Sequence, residues 1–155
     1  FSFISTRWFA FILVLLAGIY FYYLKKFKIF IFICLATSFG DFTGNILKEL
    51  LSDTRPCFGY SEIFIQAGLI EHECGSQSTG MPSNHAINFF LFTTLLCLTI
   101  KNKFISSIFI ISSVFVALSR VFLIKHLLSQ VIIGAFIGIF LGILFYNLFY
   151  KWIKT

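Results

Sequence analysis

Residues 104–126 read FISSIFIISSVFVALSRVFLIKH, an apolar run that ends in charged and polar side chains. Residues 104–118 carry no charge, and Ser119, Arg120 and His126 follow shortly after them. Ionisable side chains are costly at membrane depth, so an arginine and a histidine that follow such a run together are unlikely to serve packing alone. The stretch therefore predicts a transmembrane helix that carries functional groups at one end.

Four more apolar runs surround this one, at about residues 8–24, 27–47, 86–100 and 127–150. A helix needs roughly 20 apolar residues to cross the hydrocarbon core, so the runs at 86–100 and 104–118 are short and must tilt or include flanking residues. We therefore predict an all-α fold, a polytopic membrane bundle of about five transmembrane helices in a single domain, residues 1–155. The odd number of spans and the absence of an initiator Met predict further N-terminal sequence, either a cleaved signal or a preceding helix, which would be the sixth in the full-length protein.

The composition excludes an ordinary soluble protein. Of 155 residues, 59% are hydrophobic and only 12% are charged, which leaves too little polar surface to cover a globule. The net charge of +6 would suit nucleic-acid binding, but the basic residues are scattered and form no basic aromatic groove. We therefore expect the lipid bilayer and a membrane lipid as partners, no nucleic acid and no obligate protein partner.

The charges are divided unequally between the two sides of the predicted bundle. Seven of the twelve Lys and Arg residues fall on one side, namely Lys25, Lys26, Lys28, Lys101, Lys103, Lys151 and Lys154. All six acidic residues fall on the other side, with the polar ends of the runs: Asp41, Glu49, Asp53, Glu62, Glu71 and Glu73. The positive-inside rule places the lysine-rich side in the cytoplasm.

The polar side is then external, and we predict a multi-pass protein of the bacterial inner (cytoplasmic) membrane whose site faces the periplasm or the cell exterior. Residues 52–85 form an external loop that carries part of this site. The loop is long for a connection without a function, and a short interfacial stretch is expected at about residues 63–70.

Two basic residues follow the second apolar run. Lys48 and Arg55 are seven residues apart, which is two helical turns, so we expect both on one face of a helix that Pro56 ends. An ammonium and a guanidinium together neutralise phosphate oxygens. Taken alone, the pair is more typical of side chains that reach from a helix end to the membrane interface.

Pro82-Ser83-Asn84-His85 precedes the third run. Ser83 is a typical N-cap, and the first amides of a helix form a site for anions. His85 would stand at the mouth of that site, where an imidazole can donate a proton to a leaving oxygen. Taken alone, the tetrapeptide is equally consistent with a plain N-cap beside an interfacial histidine.

Arg120, after the fourth run, offers a second guanidinium. His126 is the better candidate for a nucleophile, because a neutral imidazole can attack phosphorus and form a phosphohistidine. Gln130 lies four residues further on the same helical face, where its carbonyl oxygen can accept from the other ring nitrogen of His126. Gln130 is also explained as an ordinary interfacial amide.

Together these residues resemble the type 2 phosphatidic acid phosphatase superfamily, whose pattern is K-x6-RP, then PSGH, then SR-x5-H-x3-D. The first element is intact from Lys48 to Pro56. The second has Asn84 in place of the usual Gly, and the third has Gln130 in place of the usual Asp. The three elements extend over more than half of the chain.

The resemblance implies a metal-independent phosphoric monoester hydrolase that needs no cofactor. It makes His126 the nucleophile and His85 the group that protonates the leaving oxygen and later activates water. The residues that it assigns to holding the phosphoryl group are Lys48, Arg55, Ser83, Asn84 through its amide, and Arg120. Gln130 keeps the orientation of His126 but gives up the charge of a carboxylate, unless Asp41, Glu49 or another carboxylate replaces it in space.

The substrate is predicted less sharply than the reaction. The small size and few loops are most similar to the lipid A 1-phosphatase branch, with phosphatidylglycerophosphate or undecaprenyl pyrophosphate phosphatase as alternatives. Lys125, beside His126, is a candidate contact for a second phosphate or an acidic headgroup. Two other classes stay open: a catalytically degenerate lipid-binding membrane protein, which would not need both histidines, and a transporter, which would show polar breaks in mid-span.

The four cysteines divide into two pairs. Cys34 and Cys97 lie within apolar runs and are expected to pack as small apolar residues. Cys57 and Cys74 lie in the external segment, where an oxidising compartment favours a disulfide. We predict a Cys57–Cys74 bridge that ties the loop after Arg55 to the stretch before His85.

Overall fold

The computed structural model describes residues 3–70 and 78–154, and it is helical throughout these ranges apart from turns and one isolated bridge. Five long helices account for the predicted spans: α1 (Arg7–Tyr23), α2 (Phe27–Leu51), α5 (Asn84–Ile100), α6 (Lys103–Phe122) and α7 (Leu128–Lys154). Between α2 and α5 lie two short helices, α3 (Pro56–Gly59) and α4 (Ser61–Gln66). The prediction of an all-α bundle with five apolar helices is confirmed.

Three of these helices, α2, α6 and α7, are long and apolar enough to cross a membrane, while α1 and α5 are apolar but shorter. The 17 residues of α5 extend over roughly 25 Å at 1.5 Å per residue, somewhat less than the hydrocarbon core. The short fourth run includes flanking residues, as expected. Lys103 and residues 119–122 extend α6 to 20 residues, because the chain stays helical through its polar end.

Helix α5 lies at the centre and packs against α7, α2 and α6. Glycines on α7 allow the closest approach. A Cβ on Gly134 would lie 2.7 Å from the carbonyl oxygen of Ser83, and one on Gly138 would clash with the carbonyl oxygen of Ile87. Small residues four apart let membrane helices meet backbone to backbone. The contact fixes the position of the α5 N-terminus along α7. The second motif lies at this N-terminus.

The lysine-rich turns lie at the end of the bundle opposite to that N-terminus. The α5–α6 turn reaches the end of α1, since the amide of Asn102 donates to the Tyr20 hydroxyl at 3.4 Å. The C-terminal part of α7 reaches the start of α2, where Phe149 and Phe32 are in ring contact. Six lysines at this end are exposed: Lys25, Lys26, Lys28, Lys101, Lys103 and Lys151. The lysine-rich end that the sequence predicts is therefore present in the described part of the fold.

The connection after α2 differs from the prediction. Helix α2 ends at Leu51 because Ser52 adopts a left-handed conformation with φ of 47°, so Arg55 is not on the helix with Lys48. Arg55 instead caps α3, and Pro56 begins that helix rather than ending α2. The predicted single face for Lys48 and Arg55 was wrong. The reason is a local change of direction, after which a proline at the first helical position is favourable.

Residues 53–55 pair with residues 78–80 across the opening of the bundle. The Arg55 amide donates to the Ser78 carbonyl at 2.9 Å, and the Gly80 amide donates to the Asp53 carbonyl. Thr54 and Thr79 form an antiparallel bridge between them. This short ladder holds the two ends of the external segment together beside the N-terminus of α5. Of the interfacial stretch predicted at residues 63–70, residues 63–66 are helical within α4.

Candidate active site

A cavity of about 520 Å³ opens at the end of the bundle where the three motifs meet. Six of the residues predicted from the sequence line it: Lys48, Arg55, Asn84, His85, Arg120 and His126. They come from four separate segments of the chain, so the fold, and not local spacing, brings them together. Further in, the wall is apolar, formed by Leu13, Val14, Phe89, Phe92 and Phe109.

Helix α2 delivers Lys48 to this cavity. Gly40, Gly44 and Lys48 are four residues apart and form the buried stripe of α2 that faces α5. Lys48 is only 6% exposed, which is unusual for a lysine at a helix end. A lysine that simply reached out to the interface would be exposed, so the burial argues against that interpretation.

The two guanidinium groups are held by different means. Arg55 is half-buried, and its Nε donates to the Thr79 carbonyl at 3.1 Å, which ties it to the ladder. Arg120, in the last turn of α6, is 5% exposed. The backbone then folds back on that turn, because the amides of Lys125 and His126 both donate to the Arg120 carbonyl at 3.1 Å. This turn brings Arg120 and His126 to the same cavity.

Ser83 occupies the N-cap of α5 as predicted, but its side chain makes no capping bond. Its hydroxyl is completely buried and has no hydrogen-bond partner within the described part of the chain. The Ser83 amide donates to the Gln130 carbonyl at 3.1 Å, which docks the motif on α7. Helix α5 thus starts at the cavity with its first amides directed at the place where an anion would bind.

Asn84, at the position of the family glycine, turns its side chain towards α2. Its Nδ2 donates to Asn45 Oδ1 at 2.7 Å and to Asp41 Oδ1 at 3.2 Å. Gly44 leaves room for this amide, since a Cβ there would lie 2.5 Å from Asn84 Oδ1. The extra side chain is therefore accommodated between α2 and α5, and the backbone amide keeps its place at the helix N-terminus.

The His126 ring is 2% exposed, and its Nδ1 lies 2.8 Å from the Gly80 carbonyl oxygen. Gln130 Oε1 is 3.2 Å from the same nitrogen. A carbonyl oxygen only accepts, so Nδ1 carries the proton and donates it. The lone pair is then on Nε2, which is the nitrogen left for a substrate in the cavity.

Sequence reasoning missed the carboxylate that supports Gln130. Gln130 Nε2 donates to Asp53 Oδ2 at 2.7 Å and to the Thr54 carbonyl at 3.1 Å. Of the two carboxylates named from the sequence, Asp41 bonds to Asn84 and Asn88 instead, and Glu49 is exposed. Nothing in the spacing of the chain marks Asp53, because it meets Gln130 only through the fold.

Comparisons with known proteins identify the family of this chain. The profile of the PAP2 superfamily matches residues 28–154, which include all three motifs. This chain belongs to the PAP2 superfamily. The family resemblance inferred from the sequence is therefore confirmed.

A solved structure has the same fold. It is the crystal structure of a transmembrane PAP2-type phosphatidylglycerolphosphate phosphatase from Bacillus subtilis. The TM-score is 0.67 at 22% sequence identity, and the match covers 95% of this chain and 72% of that one. A comparison with curated protein sequences finds no match. The likeness establishes a multi-pass membrane PAP2 fold.

The PAP2 motifs place His126 in an environment that favours its neutral form. Burial, followed by the nearby charges of Arg120, Arg55 and Lys48, lowers the pKa of His126 to about 3. The hydrogen bond with Gln130 acts in the opposite direction. Both main causes disfavour a positive charge on the ring. Around neutral pH the imidazole is then available as a nucleophile.

This neutral imidazole predicts how stability depends on pH. Between pH about 3 and 6.5 the unfolded chain binds a proton at His126 that the folded chain does not, so stability falls as the pH decreases below 6.5. We expect the stability of His126→Asn to decrease less steeply with pH than that of the native protein. Melting temperatures in detergent from pH 7.5 to 4 measure this dependence. Parallel curves for native and variant protein would contradict a neutral His126.

Two predicted residues lie at the margin of the site. Lys125 is half-buried but does not line the cavity; burial and the charges of Arg120 and Arg55 lower its pKa. Cys57 is completely buried and disulfide-bonded. Its expected partner, Cys74, lies outside the described residues, so the pairing stays a prediction. Cys34 and Cys97 are free thiols within α2 and α5, as expected.

The donor set around the cavity is suited to an anion. Within residues 3–70 and 78–154, no group of three His, Cys, Asp or Glu side chains lies close enough together to hold a metal ion. The groups that converge on the cavity are instead two guanidinium groups, an ammonium and two imidazoles. The guanidinium and ammonium groups bind phosphate oxygens directly.

Proposed function

We propose that this protein is an integral membrane lipid phosphatase that removes a phosphate from a phosphorylated lipid through a phosphohistidine intermediate, without a metal ion. PAP2 superfamily members are phosphatases, so the reaction class follows from membership. The observation that carries the mechanism is one cavity that combines three cationic side chains with the free Nε2 of His126.

In the first step, the Nε2 lone pair attacks phosphorus and the bond from phosphorus to the lipid oxygen breaks. His85 gives a proton to that oxygen as it leaves. Nδ1 keeps its proton and its bond to the Gly80 carbonyl, so the ring carries a positive charge in the intermediate. In the second step, His85 takes a proton from water, whose oxygen attacks phosphorus. The bond from phosphorus to Nε2 breaks, its electron pair returns to the ring, and His126 is neutral again as inorganic phosphate is released.

The developing negative charge on the phosphoryl oxygens is met by Lys48, Arg55 and Arg120. Fixed donors in a cavity that excludes water stabilise such charge more than water does. Two further donors belong to this proposal, the Ser83 hydroxyl and the backbone amide of Asn84. The hydroxyl is buried and has no hydrogen-bond partner in the described part of the chain.

The substrate is a lipid because the apolar wall begins directly beside the cationic end of the cavity. Lipid A 1-phosphate is the first candidate from the sequence pattern, with Lys125 as a contact for its headgroup. Phosphatidylglycerophosphate is the second candidate, and the shared fold with the Bacillus subtilis enzyme favours it. The lysine-rich end of the bundle supports an orientation with the site on the periplasmic or external face of the inner membrane.

Phosphate release from purified lipids in detergent tests the proposal. We expect release from at least one of lipid A 1-phosphate, phosphatidylglycerophosphate and undecaprenyl pyrophosphate. Vanadate should inhibit by imitating the trigonal-bipyramidal phosphoryl group, and EDTA should leave the rate unchanged. Activity that EDTA abolishes and magnesium restores would refute the mechanism. Lipid binding without phosphate release would instead indicate a degenerate relative.

A further inference from the structure

Every polar atom of the Gln130 side chain has a partner, although the residue is completely buried. The carbonyl Oε1 accepts from the Leu127 amide at 3.1 Å and faces His126 Nδ1 at 3.2 Å. On the other side, Nε2 donates to Asp53 Oδ2 and to the Thr54 carbonyl. A neutral amide therefore stands between the imidazole and a carboxylate.

The carboxylate decides which way this amide points. An ionised carboxylate has only acceptors, so the NH2 group of Gln130 must face Asp53 and its oxygen must face His126. That oxygen in turn faces the protonated Nδ1. The direction of this series of hydrogen bonds is then fixed, from the Asp53 carboxylate through the Gln130 amide to the His126 ring.

We propose that Asp53 is a positioning residue for catalysis, which acts through Gln130 to supply the negative charge that an aspartate next to the histidine would supply directly. The inference rests on the proposed function, because it concerns the positive charge that develops on His126 when the phosphohistidine forms. The carboxylate lies one amide further from the ring, and the polarised amide transmits part of its effect.

The ladder between residues 53–55 and 78–80 holds the parts of this arrangement in place. The backbone of Asp53 accepts from the Gly80 amide, and the Gly80 carbonyl faces His126 Nδ1. Gly80 also lies against the amide, since a Cβ there would be 2.7 Å from Gln130 Nε2. One short segment thus positions both acceptors of Nδ1, and the amide has no space to turn aside.

A charge-swap experiment tests the proposal in the full-length protein. Asp53→Asn keeps the shape but removes the charge, and we expect kcat to fall about tenfold with little change in KM, the lower end of the loss seen for the outer partners of metal-binding histidines. Asp53→Glu restores a carboxylate and should recover most of the rate. Gln130→Glu puts two carboxylates in contact and should be strongly impaired.

The double variant Asp53→Asn/Gln130→Glu has a single carboxylate in this hydrogen-bonded series, and that carboxylate is now directly beside His126. We expect it to be faster than Gln130→Glu alone. Both of these variants lose the Gln130 bond to the Thr54 carbonyl, so their comparison isolates the charge. The rate of phosphoenzyme formation in a single turnover is the readout, after each variant is shown to be folded in detergent.

Three results would overturn the inference: a native rate for Asp53→Asn, no recovery in the double variant, or unfolding of Asp53→Asn, which would make Asp53 a structural residue. All three presuppose an active native protein. Failure of the proposed function is a different result, since the native protein itself would then release no phosphate.

Discussion

Replacing His126 with alanine is expected to abolish phosphate release while lipid binding largely survives. Nε2 is the atom that forms the bond to phosphorus, and its loss should lower kcat roughly 10⁴-fold or more, as removal of a catalytic nucleophile does elsewhere. Binding should persist, because Lys48, Arg55 and Arg120 still line the cavity.

Single-turnover assays with labelled lipid measure both quantities, the phosphate released and the lipid retained by the protein. Lys151→Ala is the matched control, because this exposed lysine lies at the opposite end of the bundle and should leave the rate unchanged. A His126→Ala variant that turns over at the native rate would refute the phosphohistidine mechanism.

The sequence predicts the bundle well because the information for it is local. Each long helix of the bundle corresponds to an apolar run in the sequence, and the charges that end the runs also indicate the two sides of the membrane. The gathering of Lys48, His85, Arg120 and His126 at one end follows from alternation of the spans alone. These residues were predicted together, and the structure places them around one cavity.

Arg55 shows where such reasoning ends. Its spacing from Lys48 fits two helical turns, yet α2 ends at Ser52, and Arg55 reaches the cavity from the ladder with residues 78–80. Pairing between segments more than twenty residues apart leaves no periodic signal in either of them. The side chain reaches the predicted place by a different route.

Asp53 and Gly80 were missed for the same reason. Both serve His126 through contacts that only the folded chain creates, one through Gln130 and one through a backbone carbonyl. As replacements for the family aspartate, the sequence suggested Asp41, Glu49 or another carboxylate, and it did not mark Asp53. Asp41 instead forms part of an amide cluster with Asn84 and Asn88.

The two departures from the family pattern have separate compensations. The Asn84 side chain is accommodated because Gly44 leaves space on α2, and Asp41 and Asn45 accept hydrogen bonds from its NH2 group. Gln130 is buried, and Asp53 and the Thr54 carbonyl satisfy its NH2 group. An unpaired polar group in such a place would be costly, so these partners are what allow an amide to be buried at the position of the family aspartate.

His85→Ala is expected to be the second most severe change, and its severity should depend on the leaving group. His85 lines the cavity at the N-terminus of α5 and, in the proposed mechanism, protonates the lipid oxygen as its bond to phosphorus breaks. General acid catalysis typically contributes about 10²- to 10⁴-fold, so kcat for a lipid phosphomonoester should fall by that order.

A pyrophosphate substrate expels a lipid monophosphate and an aryl phosphate expels a phenolate, and both leave without the help of an acid. Formation of the phosphohistidine from such substrates should therefore be much less impaired in His85→Ala. The burst of product in the first turnover should then persist, while later turnovers are slow, because His85 also activates the water that releases phosphate. Rapid-quench measurement with undecaprenyl pyrophosphate and with a lipid phosphomonoester separates these two steps. Equal loss of the burst for both substrates would show that His85 binds the phosphoryl group and does not transfer the proton.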